Sequence, residues 1–127
     1  MKRSALLKSL SREHHGALVY AKRLLDLSQK DPRLMQSYWR DICEVVQAEL
    51  KTHFAEEEKL VEGISEPLLA RFRDEHRLLR ALFKSEDADQ LKRFANLLRE
   101  HIRFEERELF PCLEARYYDV LQQSQVR

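Results

Sequence analysis

Two segments of the chain place a histidine and a glutamate four residues apart, and this spacing limits the possible folds more than any other feature. The segments read THFAEEEKLV and EHIRFEERELFP, and their pairs are His53 with Glu57 and His101 with Glu105. Four residues make about one turn of an α-helix, so both side chains of a pair leave the same helix face. Two such pairs are suited to hold a metal between them.

Two further histidines follow a glutamate, as Glu13-His14 and Glu75-His76, on two other strongly periodic segments. Burying unpaired polar groups on an apolar helix face costs on the order of several kcal/mol, so these groups need a partner. We therefore predict that four helices each donate a histidine and that two of them also donate a glutamate. The six groups expected to converge on a pair of metal ions are His14, His53, Glu57, His76, His101 and Glu105.

The composition indicates a helical protein. The chain has 127 residues, enough for one domain with a real core and too few for two, so we expect a single domain over residues 1–127. Hydrophobic residues make up 43% and charged residues 35%, with only two Gly and three Pro. This scarcity of turn residues disfavours all-β and Rossmann folds and favours an all-α bundle. Cys43 and Cys112 lack a CxxC spacing, so we expect both to be reduced thiols.

The charges and the hydrophobic runs exclude several classes of partner. The 23 basic and 22 acidic residues nearly cancel, so we expect no nucleic-acid partner and no anionic membrane partner. The first ten residues contain no apolar run of the length found in signal peptides, and no segment reaches the roughly 20 apolar residues that span a bilayer. We expect a soluble, cytoplasmic protein.

Cap signals divide the chain into helices. The first helix is predicted to run to about Gln29 and to begin either at Ser4 or, capped by Ser11, at Arg12. Asp31-Pro32 then signals the start of a long second helix, because Asp is a favoured N-cap and Pro is tolerated at the first helical position. We expect this helix to end near Gly63.

The second half of the sequence repeats this organisation. A cap signal at residues 65–67, Ser-Glu-Pro, precedes the third helix, and residues 85–89 are predicted to form a loop. The fourth helix is expected to run until Pro111 breaks or kinks it, with a short extra helix in the tail from Cys112. Loops this short force neighbouring helices to be antiparallel, which predicts an up-down-up-down four-helix bundle with a short C-terminal extension. The four histidines then lie in roughly one layer.

The predicted donor set limits the metal chemistry. Imidazoles and carboxylates suit iron, manganese or zinc, and the set lacks the thiolates of zinc fingers. A carboxylate that bridges two metals holds them about 3.5 to 4 Å apart. With two histidines for each metal, two bridging carboxylates and one bridging oxide or hydroxide, each ion keeps an open position. Such a position would bind dioxygen, nitric oxide, peroxide or water.

The motifs LSREHH, THFAEEE, DEHRLLRALF and HIRFEERELFP together resemble the bacterial hemerythrin-like domain, the family with the HHE cation-binding motif. The resemblance covers essentially the whole chain and implies a hemerythrin-like four-helix bundle with a non-haem di-iron site. It implies that the four predicted histidines are terminal ligands and that Glu57 and Glu105 bridge the two metals. Zinc or manganese are possible substitutes for iron.

One position departs from the pattern of the oxygen-carrying hemerythrins. These proteins have a second histidine one turn before the third-helix ligand, and this chain has Phe72 there. The missing fifth histidine argues against reversible dioxygen carriage. Four-histidine members of the family are associated with nitric oxide or peroxide reactivity, iron handling and repair of damaged iron centres.

Alternatives remain open for two ligand positions. His15 replaces His14 as the first-helix ligand if that helix begins irregularly, and Glu106 replaces Glu105 if the second carboxylate follows its histidine by five residues. Otherwise Glu106 is expected to orient a histidine or to pair with a nearby cation, as are Glu56 and Glu58.

Three functions are compatible with the sequence. The first is a di-iron protein that binds dioxygen or nitric oxide, or that senses or stores iron. The second is a di-iron enzyme that removes peroxide or nitric oxide or repairs damaged iron centres. The third, a metal-free helical adaptor, would leave six polar groups without partners in a core.

Overall fold

The computed structural model describes residues 5–126, apart from the side chains of Leu6 and of residues 123–126. Within this range the chain is helical and contains no strand, as the sequence predicts. The helices are α1 (Ala5–Lys30), α2 (Pro32–Leu60), α3 (Leu68–Ala81), α4 (Ala88–Phe104), a π-helical turn (Glu105–Leu109), α5 (Phe110–Arg116) and α6 (Tyr118–Val126). The first four form the predicted antiparallel bundle, in which α1 packs against both α2 and α4.

The boundary between α1 and α2 follows the predicted cap. The Asp31 side chain accepts a hydrogen bond from the backbone N–H of Arg33 (2.9 Å), and Pro32 occupies the first helical position. The first helix begins at Ala5, so the prediction of a start at Arg12 is wrong; Ser4 lies outside the described residues. Helix α2 ends at Leu60, just before the predicted end at Gly63, where a φ of 82° forms the turn.

Two helix starts differ from the prediction in detail. Helix α3 begins at Leu68, and the carboxylate of Glu66 accepts its first N–H (2.7 Å). Helix α4 begins at Ala88, inside the predicted loop, because the Asp87 side chain caps it by accepting the N–H of Gln90 (3.2 Å). An acidic residue in a loop segment is thus the cap of the next helix.

The predicted break of the fourth helix at Pro111 is wrong. The helix passes through the π-helical turn and continues as α5 to Arg116. In that turn the N–H of Phe110 bonds to the carbonyl of Glu105, one residue further back than in an α-helix. Pro111 then falls at the start of α5, where a missing N–H is tolerated.

The hydrophobic core consists of two clusters with a polar layer between them. Along α1, α2 and α4 the residues Ala17, Leu50 and Leu98 belong to one cluster, whereas Leu10, Leu60 and Phe104 belong to the other. The predicted histidines fall between these positions on each helix. Apolar packing on both sides therefore fixes the positions of the polar side chains.

The structure also bears on the expected reduced thiols and on the expected absence of a membrane-spanning segment. Cys43 and Cys112 are both free and half-buried. Within residues 5–126, no helix combines the length and the apolar character needed to cross a bilayer.

Candidate metal centre

The six residues predicted from the sequence meet in the polar layer of the bundle. They form two overlapping groups, each with donor atoms within 4.8 Å of one another. The first group is His14, His53, Glu57 and Glu105, and the second is Glu57, His76, His101 and Glu105. All six side chains are buried. The two groups share both carboxylates, so the arrangement has two halves and one centre.

Each shared carboxylate turns one oxygen toward each half. Glu57 Oε2 lies 3.1 Å from His53 Nε2 and 3.5 Å from His14 Nε2, while Glu57 Oε1 lies 3.2 Å from His76 Nε2. Glu105 Oε1 lies 2.9 Å from His14 Nε2, and Glu105 Oε2 lies 3.4 Å from His101 Nε2. This is the arrangement by which a carboxylate bridges two cations.

The inward atoms of these six residues have no hydrogen-bond partner among the described residues. They are the Nε2 atoms of the four histidines and both oxygens of Glu57 and Glu105. Although some nitrogens and oxygens lie close together, no hydrogen bond joins them. Buried polar atoms in proteins are nearly always paired, and each one without a partner costs about 1–3 kcal/mol. The donor set therefore fits a bound metal ion.

The outward nitrogen of each histidine is held by a second set of glutamates. The Nδ1 atoms contact carboxylate oxygens at 2.8 to 2.9 Å, in the pairs His14–Glu106, His53–Glu13, His76–Glu58 and His101–Glu75. An ionised carboxylate only accepts hydrogen bonds, so Nδ1 donates and Nε2 presents its lone pair inward. Carboxylates in this position orient metal-binding histidines and raise their basicity.

The comparison with protein-family models matches residues 5–113 to the hemerythrin family, described as the hemerythrin HHE cation-binding domain. The chain belongs to this family. Neither the curated proteins nor the solved structures contain a significant match. The family match ends inside α5, so α6 lies outside it.

In this hemerythrin domain His14 and Glu105 lie in the buried cluster, and their alternatives His15 and Glu106 lie outside it. His14 lies in the cluster and is 3% exposed, whereas His15 is exposed on the outer face of α1. Glu105 faces the centre, and Glu106 instead accepts hydrogen bonds from Ser11 Oγ (2.7 Å) and contacts His14 Nδ1. The π-helical turn begins at Glu105, and an inserted residue in a helix is common at functional sites.

The sequence interpretation anticipated part of the outer glutamate set. Glu58 and Glu106 each contact a histidine, as considered, whereas Glu13 and Glu75 were not identified. Both are the first residue of a Glu-His dipeptide, which is the signal that could have found them. Each contacts the histidine of another helix rather than its own neighbour. Glu100, in the third such dipeptide, contacts Arg103 at the surface instead.

The electrostatics of the centre favour positive charge. Burial lowers the pKa of His14, but Glu105, Glu106 and Glu57 outweigh burial and raise this pKa to about 11. For His101, burial is likewise outweighed by nearby carboxylates, mainly Glu105, and its pKa rises to about 9. Burial would raise the pKa of Glu57, but three histidines hold it well below the usual range. Without a metal, His14 and His101 would therefore be protonated at neutral pH.

Aromatic rings enclose the histidine on α3. Phe54 lies 4.2 Å from the His76 ring and Phe72 lies 4.1 Å from it, measured between ring centroids. Both phenylalanines are almost fully buried. The residue at the position of the fifth histidine of oxygen carriers is thus an apolar wall and offers no donor to a metal.

Proposed function

We propose that this hemerythrin-family protein holds two iron ions and binds a small ligand, dioxygen or nitric oxide, or senses iron. His14 and His53 would hold one ion, His76 and His101 would hold the other, and Glu57 and Glu105 would contribute to both sites. The observation that supports this proposal best is the orientation of the two shared carboxylates, each with one oxygen toward each histidine pair. Iron in such a site supplies a change of oxidation state and an open position for a small ligand.

The charge around the centre supports the binding of cations. Two buried carboxylates, those of Glu57 and Glu105, face the four histidines. Four further carboxylates contact the outward histidine nitrogens, at positions 13, 58, 75 and 106. Arg80 bonds to Glu58 and Arg71 bonds to Glu75. A cation between the two buried carboxylates would be attracted by both.

Different side chains orient the four histidines and cover them: glutamates contact the Nδ1 atoms, and phenylalanine rings pack against two of the imidazoles. The outer glutamates fix each imidazole through Nδ1, so that little reorganisation is needed when Nε2 binds a cation. Phe54 and Phe72 cover the histidine on α3, and Phe110 stacks on His14 with centroids 5.5 Å apart. An apolar enclosure around His76 strengthens the electrostatic interactions on that side of the centre.

Metal content and ligand binding test the proposal together. The full chain is loaded anaerobically with ferrous iron, desalted and measured by elemental analysis, and we expect two irons per chain. Stopped-flow mixing with dioxygen or nitric oxide should then change the absorption spectrum. Removing the gas should reverse the change if the protein binds the ligand without consuming it. A reconstituted protein with less than one metal per chain would overturn the proposal; zinc or manganese at two per chain would overturn only the choice of iron.

An enzyme that removes peroxide or nitric oxide, or that repairs damaged iron centres, is the second candidate. Phe72 favours it, because this buried ring provides no fifth imidazole and leaves more of the metal coordination open. Rapid, irreversible oxidation of the iron with consumption of peroxide or nitric oxide would support the enzyme over the ligand-binding protein.

A further inference from the structure

A pocket opens between α1 and α2 and extends inward to α4. Its volume is about 610 Å³. Gly16 and Ala48 lie on the facing helices near the outside, and His14, His53 and His101 contribute to the lining. The pocket therefore connects the exterior with three of the proposed metal-binding histidines.

The size of this pocket, the α1/α2 pocket, exceeds what a diatomic ligand requires. A water molecule takes up about 30 Å³ in the liquid, so the pocket is roughly twenty times larger. Pockets of about 300–1,000 Å³ are those in which proteins bind small organic molecules. A gas molecule would need only a narrow channel.

The inner walls of the α1/α2 pocket are apolar. The lining includes the buried side chains of Ala17, Leu50, Phe54, Leu98 and Ile102. Such walls favour a ligand with an apolar body, because a polar group placed against them would lose its hydrogen bonds to water without gaining a partner.

The exposed charged side chains of the lining are mainly acidic. Glu13, Glu49 and Glu56 contribute three carboxylates and Arg12 contributes one guanidinium. Glu49 also accepts a hydrogen bond from the Tyr20 hydroxyl (3.3 Å), which links the two helices at the pocket. An anion entering past these carboxylates is repelled, whereas a neutral or cationic molecule is not.

We propose that the α1/α2 pocket binds a neutral or cationic organic molecule with an apolar body beside the metal centre. The chemical use of such a molecule depends on the proposed di-iron function, but its binding does not. The pocket thus broadens the class of compounds that reach the centre from diatomic gases to small organic molecules.

Three probes with the same aromatic body and different charge test the pocket. Indole is neutral, tryptamine is cationic and indole-3-acetate is anionic at pH 7. Isothermal titration calorimetry is performed on the zinc-loaded full chain, which is redox-silent, and on the metal-free chain. We expect indole and tryptamine to bind the zinc-loaded chain at least tenfold more tightly than indole-3-acetate, and indole to bind the metal-free chain as well. Equal affinities for the three probes, or no binding of any probe to either form, would overturn the proposal.

Two variants locate the binding. A Cβ added at Gly16 meets no atom within 4 Å, and Gly16→Leu places a side chain at the pocket, which should weaken indole binding at least tenfold. Val19→Leu, on the exposed side of the same helix, is the matched control and should bind indole normally. Replacing both Glu49 and Glu56 by Lys should reverse the preference between tryptamine and indole-3-acetate. Unchanged indole binding in Gly16→Leu, or an unchanged preference in the lysine variant, would contradict the assignment.

The outcome also separates this inference from the proposed function. Two metals per chain without indole binding would reject the pocket alone. Indole binding without stoichiometric metal would reject the di-iron function and leave the pocket in place.

Discussion

The two halves of the metal centre have the same set of groups but different surroundings. The His14 half comprises His14 and His53 with Glu106 and Glu13, and the His76 half comprises His76 and His101 with Glu58 and Glu75. In the His76 half, a guanidinium holds each outer carboxylate: Arg80 contacts both oxygens of Glu58, and Arg71 contacts Glu75. In the His14 half, Glu106 accepts a hydrogen bond from the Ser11 hydroxyl.

Access to the exterior also differs between the halves. The side chain of Glu13 is 43% exposed and that of Glu75 is 11% exposed, although each orients one histidine. Both histidines of the His14 half line the α1/α2 pocket, whereas His76 lies between Phe54 and Phe72. A centre that looks symmetric in sequence therefore has an enclosed half and a more accessible half.

The largest expected effect comes from a residue that both halves share. Glu57→Gln removes a carboxylate that lies near three histidines, so we expect metal content to fall from two ions per chain to fewer than 0.2, a loss of about tenfold or more. Elemental analysis after reconstitution measures it. Glu56→Gln, at the neighbouring exposed position, is the control and should retain two ions. Normal metal content in Glu57→Gln would show that the carboxylate does not bridge.

The outer glutamates should differ between the halves. Loss of a carboxylate that orients a metal-binding histidine lowers metal affinity by about 10–100-fold. We expect the loss of metal affinity in Glu75→Gln to be about 100-fold, because this carboxylate is buried and bonded to Arg71. The loss in Glu13→Gln should be about tenfold, because the Glu13 side chain is 43% exposed. Competition with a chelator measures zinc affinity, with Glu100→Gln as the surface control. Equal losses in both variants would contradict the difference between the halves.

The metal-free protein should lose stability as the pH rises above neutral. The pKa of His101 is about 9 and that of His14 is about 11 in the folded chain, both above the usual value near 6.5. Stabilisation from these protonated rings is complete below pH 6.5 and is lost as the pH rises through 9 and then 11. His101 should lose its proton before His14, and imidazole nitrogen NMR shifts follow each step.

Urea unfolding of the metal-free chain at pH 7 and pH 10 checks the consequence for stability. We expect a lower free energy of unfolding at pH 10. In His14→Gln the free energy of unfolding should fall less between pH 7 and pH 10 than in the unsubstituted chain. His15→Gln, at an exposed position, should show the same fall as the unsubstituted chain. A free energy of unfolding that does not change between pH 7 and pH 10 would contradict the raised pKa values.

The smallest change in zinc affinity is expected from Arg80, one of the two arginines that contact the outer carboxylates of the His76 half. Arg80→Gln removes the two contacts to Glu58 but leaves the carboxylate on His76, so zinc affinity should fall by less than about tenfold. Arg77→Gln, which breaks a surface pair with Asp74 on the same helix, is the control and should leave zinc affinity unchanged. A loss as large as that of Glu75→Gln would mean that the guanidinium, rather than the carboxylate, orients the histidine.

The sequence alone predicted the bundle and the residues that meet at its centre. Helical periodicity fixes which side chains share a face, so the spacing of His53 and Glu57 already determines that they lie together. The Asp31-Pro32 cap likewise depends only on local backbone geometry, and the structure has it where the sequence predicts it. Features of this kind involve residues within about one turn of each other.

The tertiary structure decided the partners that lie on different helices. Glu13 contacts His53 and Glu75 contacts His101, although each precedes another histidine in the chain. These pairings depend on how the antiparallel helices rotate about their axes and at what height they pack, which no local spacing specifies. The same packing decided the α1/α2 pocket and the different surroundings of the two halves. The sequence thus determined which groups are available at the centre, and the packing of the helices determined which side of it is open.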